Sequence, residues 1–411
     1  MNYLRIFSNY SFLLSLIIPF LILGPFFPDL IVSLSSFVFL IYLIKHKLFF
    51  YFNKKPLLIF FIFCTYCILV SIFVAKNMLL SFESSLFYFR IGVFSCLIWY
   101  LLEQDKKILN YFYYALVVSF SALIVDGYIQ FFTGTNILGW KIKDFRISSF
   151  FGNQLILGSY LSRLFPLLFA LFIVKKKNKL ELYFMFIFFF LLTGLVLISG
   201  ERAAFFFYVL SLIFLIIFIK GYKKLKIVLS VGLLIFMMII ILYFEQVKKR
   251  IILEPISTIT KFIFSPKHDS LFRTAYNMFS DKPILGYGPK MFRVICKNEK
   301  YTEDIYSCDT HPHNFYIQLL AETGIIGFSF LFSAFAYVLY CAYRQFKSIV
   351  LRQKRYLTDY QVCLLAGILI TVWPLTTNGN FFHNWLMIVY SLPVGFYLHS
   401  IYGKNRTSIS F

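Results

Sequence analysis

The sequence predicts an all-α integral membrane protein with about twelve transmembrane helices, from its composition and from the lengths of its apolar stretches. Of the 411 residues, 60% are hydrophobic, 55 are Phe and only 14% are charged, which is unlike the composition of a soluble domain. Its apolar stretches reach the roughly 17–25 residues that cross a bilayer as a helix. Because they are continuous, they exclude a β-barrel, whose strands alternate apolar and polar residues.

The predicted spans follow one another along a single membrane domain of residues 1–411. They are 11–27, 30–44, 57–74, 87–102, 109–132, 156–174, 181–199, 203–219, 226–244, 324–343, 361–376 and 384–401. One large loop, residues 245–323, separates the ninth span from the tenth. Its amphipathic segments are expected to carry part of the functional site.

The net charge of +22 raises the question of a nucleic-acid partner, but the basic residues follow the positive-inside rule. They concentrate in alternate connections, such as "KHK" from Lys45, "KKKNK" from Lys175 and "KGYKKLK" from Lys220. These connections and both termini are therefore predicted to be cytoplasmic, and the loop 245–323 to lie outside. We expect membrane lipids around the chain and no nucleic-acid partner.

Cys296 and Cys308 are predicted to form a disulfide, because they are the two cysteines of the outer loop, and disulfides persist in such a compartment. The alternative is a pair of free thiols. A zinc site would need two cysteines and two histidines at regular spacing, which this loop lacks. No metal is therefore expected.

Five arginines are predicted to lie near the outer face of the membrane: Arg90, Arg146, Arg163, Arg202 and Arg273. An arginine in or beside a bilayer needs a partner or a task, and since nearby carboxylates are few, a shared anionic ligand is expected. Arg202 opens a predicted helix whose amides also favour an anion, and Arg273 lies on an amphipathic segment, "LFRTAYNMF". The alternative is snorkelling or local ion pairing, for example Glu83 with Arg90 and Glu201 with Arg202.

Two histidines in "HPHNF" stand directly before the predicted span 324–343. An imidazole can take a proton from a hydroxyl at neutral pH, which makes His313 the candidate base and His311 a candidate supporting residue. The alternative is that either histidine caps the helix or bonds to the backbone. His46, His383 and His399 are assigned no role.

These groups suit glycosyl transfer from a lipid-diphosphate donor. The sequence lacks the carboxylate pair of a hydrolytic glycosidase and the acidic cation site of a metal-dependent transferase. Arginines can hold a diphosphate leaving group while a histidine deprotonates a sugar hydroxyl, without metal or cofactor. A transporter of an anionic solute is the alternative from another class, although its arginines would be expected at the midplane of the bilayer.

Three segments carry a resemblance to the O-antigen ligase and polymerase superfamily. "SGERAAFF", "DKPILGYGP" and "THPHNFYIQLLAETGIIG" resemble that family's blocks in the same order, and ten residues separate His313 from Gly324, as in its His-x10-Gly signature. The resemblance covers roughly residues 140–345. It implies a GT-C class glycosyltransferase of the bacterial inner membrane with its active site facing the periplasm.

The resemblance also implies an undecaprenyl-diphosphate-linked glycan donor and inversion at the anomeric carbon, again without metal or cofactor. It makes His313 the presumed base and Arg202 and Arg273 the diphosphate-binding residues. Arg90, Arg146 and Arg163 are expected to assist in donor binding, and His311, Glu322 and Gly324 to support the site.

Two acceptors are compatible with this donor site. A ligase transfers the glycan to a sugar hydroxyl of lipid A-core, whereas a polymerase transfers it to another lipid-linked repeat unit. The His-x10-Gly spacing favours the ligase. The block from His311 to Gly327 concerns the donor and the base, so it does not separate the two.

Overall fold

The computed structural model describes residues 2–175, 178–249, 265–302 and 304–404. Lys176 and Lys177 of one basic connection, and residues 250–264 of the large loop, lie outside the described residues. The described part contains helices and two isolated β-bridges but no β-strand. The helices are α1 (Asn2–Ser15), α2 (Ile17–Leu23), α3 (Phe26–Lys45), α4 (Lys55–Phe73), α5 (Met78–Leu86), α6 (Arg90–Gln104), α7 (Lys107–Thr133), α8 (Leu157–Val174), α9 (Lys179–Ile198), α10 (Arg202–Phe218), α11 (Lys223–Tyr243), α12 (Glu245–Lys248), α13 (Pro266–Asp281), α14 (Phe292–Ile295), α15 (Phe315–Val350), α16 (Asp359–Thr371) and α17 (Asn384–Tyr402).

Each predicted span overlaps one or more of these helices. Among the described residues, eight helices are long and apolar enough to cross a membrane: Phe26–Lys45, Lys55–Phe73, Met78–Gln104, Lys107–Thr133, Leu157–Val174, Lys179–Ile198, Phe315–Val350 and Asn384–Tyr402. The other predicted spans overlap shorter apolar helices: Asn9–Leu23, Arg202–Phe218, Ser230–Ile239 and Asp359–Thr371. The all-helical prediction is confirmed, with several helices of membrane length, whereas the number twelve stays a prediction.

The helices form a bundle in which α8 is the most deeply buried candidate span. α16 packs along α8, and α17 packs along α6. The second contact is close because Gly395 has no side chain: a Cβ there would lie 2.8 Å from the Ser95 carbonyl oxygen and 2.6 Å from Cβ of Ile98. Small residues permit such approach between membrane helices.

The large loop forms a separate layer with its own hydrophobic core. α13 buries Leu271 and Ala275 in a cluster that includes Phe292 of α14 and Ala321 of α15. On its outer face, α13 carries the exposed Arg273. The amphipathic segment predicted around Arg273 is thus a helix, and it packs onto the first part of α15.

α15 is broken at Gly324, whose φ of 63° and ψ of −168° are not helical. The turn 283–288 docks onto this break. The amide of Ile325 donates to the Pro283 carbonyl (2.8 Å), and the amide of Gly288 donates to the Glu322 carbonyl (2.7 Å). Backbone groups that the break leaves without helical partners are therefore satisfied by the loop. The turn 283–288 and the residues around the helix break, 321–325, are together called the latch.

Both sides of the latch need glycine. A Cβ on Gly324 would collide with the carbonyl of Ile284, and a Cβ on Gly286 would lie 2.5 Å from the Glu322 carbonyl carbon. Both residues also have a positive φ, which side chains disfavour. The predicted span 324–343 begins where the helix restarts, so residues 315–323 belong to the layer of the loop.

Gly324→Ala is expected to weaken the latch, because the new methyl group collides with backbone and the left-handed φ costs a non-glycine residue about 1 kcal/mol or more. The purified variant should melt at a lower temperature in detergent, and its large loop should be cut faster by protease. Gly367→Ala is the matched control, since its Cβ would lie 3.5 Å from the nearest atoms, an ordinary contact. Wild-type melting and wild-type protease resistance in Gly324→Ala would contradict this account of the break.

Candidate active site

His313 stands directly before α15 in a left-handed conformation, with φ of 59°, which is uncommon for a residue other than glycine. Asn314 fixes the chain on one side, since its Oδ1 accepts the amides of Tyr316 (2.9 Å) and Ile317 (3.2 Å) and caps the helix. On the other side, the amide of Asn378 donates to the His313 carbonyl (2.7 Å). Strained residues held by their surroundings in this way are frequent at functional sites.

Asn378 belongs to the connection between α16 and α17, and a buried arginine holds it. Nη2 of Arg163 donates to Oδ1 of Asn378 (2.7 Å). The guanidinium lies between two rings, 4.4 Å from the centroid of Phe207 and 4.3 Å from that of Tyr390. Arg163 therefore supports the backbone of His313 through Asn378, which differs from the direct role in donor binding expected from the sequence.

Three imidazoles gather next to this backbone. The ring centroid of His313 lies 4.1 Å from that of His311 and 5.4 Å from that of His268, the single histidine of α13. Nδ1 of His268 and Oγ of Ser265 share a hydrogen bond of 2.6 Å. Among the described residues, no group of three or more His, Cys, Asp or Glu side chains is arranged to hold a metal ion.

An aspartate orients the central histidine. Nε2 of His313 lies 3.5 Å from Oδ2 of Asp309, and Nζ of Lys267 lies 2.7 Å from the same oxygen. If the Nε2 proton points to Asp309, Nδ1 is the nitrogen left to accept a proton from a substrate. Asp309 and Lys267 thus connect His313 to the start of α13.

The electrostatics of the cluster keep these imidazoles neutral. Burial lowers the pKa of His268 to about 4 and the pKa of His311 to about 3, and the neighbouring His313 acts in the same direction on both. Burial also lowers the pKa of His313, although the Asp309 carboxylate opposes that shift. Burial alone would raise the pKa of Asp309, but its bond with Lys267, the amide of Thr310 and the nearby charges of Lys267 and His313 together lower it. At neutral pH His313 is therefore in the form that can act as a base.

Arg202 lies at the first residue of α10, and its charge reaches the cluster, since it contributes to the lowered pKa of His268. The adjacent Glu201 has other contacts. Its carboxylate accepts the amides of Gly158 (2.7 Å) and Ser159 (3.2 Å) at the start of α8. Glu201 therefore fixes the start of α8, whereas Arg202 is an exposed cation close enough to act on the cluster.

Arg273 lies on the same helix as Lys267 and His268. Its Nε and Nη2 both lie 3.0 Å from Oδ2 of Asp269, and its side chain is 62% exposed. α13 therefore carries two cations, Lys267 next to His268 and Arg273 about one and a half turns further along the helix. Both are accessible to an anion.

The contacts of Arg90 and Arg146 favour structural roles. Nη2 of Arg90 donates to Asp29 (2.5 Å) rather than to the sequence neighbour Glu83. Nη2 of Arg146 donates to the Leu155 carbonyl (2.6 Å). That the five arginines share one anionic ligand stays a prediction.

Glu322 and the disulfide tie the loop to α15. The buried Glu322 carboxylate accepts the amide of Phe292 (3.1 Å) and Nε2 of Gln318 (3.0 Å), which anchors the start of α14. Cys296 and Cys308 are bonded, with their Cα atoms 5.2 Å apart. The bridge joins the end of α14 to the residue preceding Asp309, so both features hold the segment that carries the histidines.

His268, Asp309 and Asn378 were missed by the sequence reasoning. The one available signal was the acidic residue of "CDTHPH", four residues before His313. No sequence signal indicated His268, because "SPKHDS" lies far from "HPHNF" in the chain. Only the packing of α13 on α15 brings the two segments together. The role of Asn378 likewise depends on a contact between distant segments.

The geometry agrees with the comparison to protein families. Residues 186–332 match the family model described as O-antigen ligase, and this range contains Arg202, Arg273, His313 and Gly324. No curated protein matches the chain. Over residues 186–332 the chain is therefore similar to the O-antigen ligase family, and this match supports a relationship to the O-antigen ligase and polymerase superfamily.

Proposed function

We propose that this protein is an O-antigen ligase. It transfers a glycan from undecaprenyl diphosphate to a sugar hydroxyl of lipid A-core, at the periplasmic face of the bacterial inner membrane. The observation that carries the proposal is the neutral His313, which lies 3.5 Å from an Asp309 carboxylate that Lys267 also contacts, in a cluster that the charge of Arg202 reaches. The family match supports the same reaction class.

The reaction is a single displacement. His313 takes the proton of the acceptor hydroxyl, the acceptor oxygen bonds to the anomeric carbon, and the bond between that carbon and the diphosphate oxygen breaks. Because one bond forms as the other breaks on the opposite side, the anomeric configuration inverts. The undecaprenyl diphosphate leaves with one more negative charge, which Arg202 and Arg273 stabilise by bidentate contacts. No metal or cofactor takes part.

The proposed topology places this site outside the cytoplasm. Twelve spans with both termini inside put the layer formed by the loop 245–323 in the periplasm. The four shorter apolar helices are counted among these twelve spans. One of them, α10, begins at Arg202 on the side of the histidines. A donor tail in lipid can then present its sugar at the level of His313.

Deletion of the gene in the source bacterium tests the acceptor. We expect lipopolysaccharide on a gel to lose all polymer from lipid A-core, while polymer linked to undecaprenyl diphosphate accumulates. A core that carries a single repeat unit would instead make the protein an O-antigen polymerase. Unchanged lipopolysaccharide would contradict both.

His313→Asn is expected to lower transfer at least about 10²-fold, the usual contribution of a general base. Asparagine suits this test because it tolerates the left-handed backbone that His313 adopts. The matched variant His311→Asn should keep a measurable fraction of activity. Purified lipid-linked donor and acceptor provide the assay, and near wild-type turnover in His313→Asn would overturn the assignment of the base.

The pH profile gives an independent check. Since burial lowers the pKa of His313 from 6.5, the decline of kcat/KM at low pH, where the base becomes protonated, should have its midpoint below pH 6.5. Asp309→Asn removes the carboxylate that favours the protonated form, so this decline should move to still lower pH. A decline centred at or above pH 6.5, or one that Asp309→Asn moves upward, would contradict the proposed base.

Arg202→Lys and Arg273→Lys should lose nearly as much activity as the alanine variants, because lysine keeps the charge but cannot form the bidentate contact with phosphate oxygens. Arg352→Lys, at an exposed position in the connection after α15, is the control and should be fully active. Full activity in both lysine variants at normal protein level would show that Arg202 and Arg273 act only as membrane anchors.

A further inference from the structure

A cavity of about 410 Å³ lies at the far end of α15 from the histidines. Three cations line it, Arg344, Lys347 and Lys354, together with the tyrosines Tyr340, Tyr343 and Tyr356. None of its lining residues carries a carboxylate. Three positive charges around one cavity, without an acidic partner in its wall, indicate an anionic ligand.

The central cation of this cavity is held in place. Nη1 of Arg344 donates to the Tyr340 hydroxyl (2.8 Å), and its guanidinium lies 4.9 Å from the centroid of the Tyr356 ring. These contacts leave guanidinium N–H groups available for further bonds, since the group has five. Ordering the side chain in advance reduces the entropy that ligand binding must overcome.

The opposite wall is fixed by a buried glutamine. Oε1 of Gln345 accepts the amide of Leu357 (2.8 Å), and its Nε2 lies 3.3 Å from the Leu357 carbonyl oxygen. Gln345 is only 1% exposed. The connection that carries Lys354 and Tyr356 is therefore tied to α15, so the cavity is part of the fold rather than a gap between mobile side chains.

Its position relative to the bilayer follows from helix geometry. The residues from Gly324 to Arg344 rise about 30 Å at 1.5 Å per residue, which is the thickness of the hydrocarbon core. Arg344 is therefore at the membrane interface opposite His313. On the bilayer side of Arg344, Phe332, Leu339 and Tyr340 are 51%, 47% and 47% exposed, as expected of side chains that contact acyl chains.

We propose that this cavity binds the phosphate of an anionic phospholipid. Arginine forms paired hydrogen bonds with phosphate oxygens, lysines add charge, and basic pockets at the cytoplasmic ends of membrane helices suit such headgroups. The adjoining apolar surface of α15 accommodates the tails, which a free phosphate ion would not use. The site is separate from the donor site and does not depend on the proposed transfer reaction.

Native mass spectrometry of the purified chain tests this proposal, with phosphatidylglycerol as the probe. Arg344→Gln should weaken lipid binding about tenfold or more, as expected for loss of a charge-assisted hydrogen bond. Arg352→Gln is the matched control, because it removes the same charge from an exposed residue outside the cavity. It should weaken binding by less than about twofold, and melting temperatures of both variants check that they are folded.

Two further probes identify the source of the phosphate. Phosphatidylcholine, which has no net charge, should bind much more weakly than phosphatidylglycerol, and millimolar inorganic phosphate should not displace the lipid. Equal losses of lipid binding in Arg344→Gln and Arg352→Gln would overturn the proposed site. They would indicate that the lipid is attracted by the overall positive charge of this surface. Tight binding of phosphatidylcholine would overturn it as well, and displacement by inorganic phosphate would overturn the lipid assignment.

Discussion

The break in α15 at Gly324 is the constraint on which the rest of the site depends. A continuous helix would have no place for the turn 283–288, whose backbone bonds with residues 321–325 draw the large loop onto the bundle. Once docked, the loop places α13 against the first part of α15, next to His313. The ten-residue spacing between His313 and Gly324 therefore has a physical meaning, because it measures the segment between the base and the latch.

A second constraint is electrostatic. The cluster combines neutral imidazoles with cations from two helices and one ionised carboxylate, Asp309. Such an arrangement keeps a base available while it attracts a diphosphate, whose negative charge grows as the leaving group departs. Arg163 contributes from within the bundle, since its contact with Asn378 fixes the backbone that carries His313. In the proposed reaction, the arginines that bind the donor are thus different from Arg163, which shapes the site.

The sequence was sufficient for what depends on local composition. Apolar runs predicted the helices, and the segment around Arg273 predicted an amphipathic helix. Contacts between distant segments could not be predicted. Arg90 pairs with Asp29, 61 residues away, instead of the nearby Glu83, and the contact between His268 and His313 arises only when the loop docks. The contacts of each arginine depend on which carboxylate, amide or ring the fold places beside it.

In the proposed reaction one neutral histidine, presented at the start of α15 by the docked loop, performs a metal-free displacement on a lipid-linked glycan. The most direct measurement is a reaction of the purified protein with a lipid-diphosphate-linked glycan of known anomeric configuration and a lipid A-core acceptor, in excess chelator. Nuclear magnetic resonance of the product then gives the configuration of the new linkage. The account predicts transfer with inversion at a rate that the chelator leaves unchanged. Retention of configuration, or activity that disappears with the chelator and returns with a divalent metal, would contradict it.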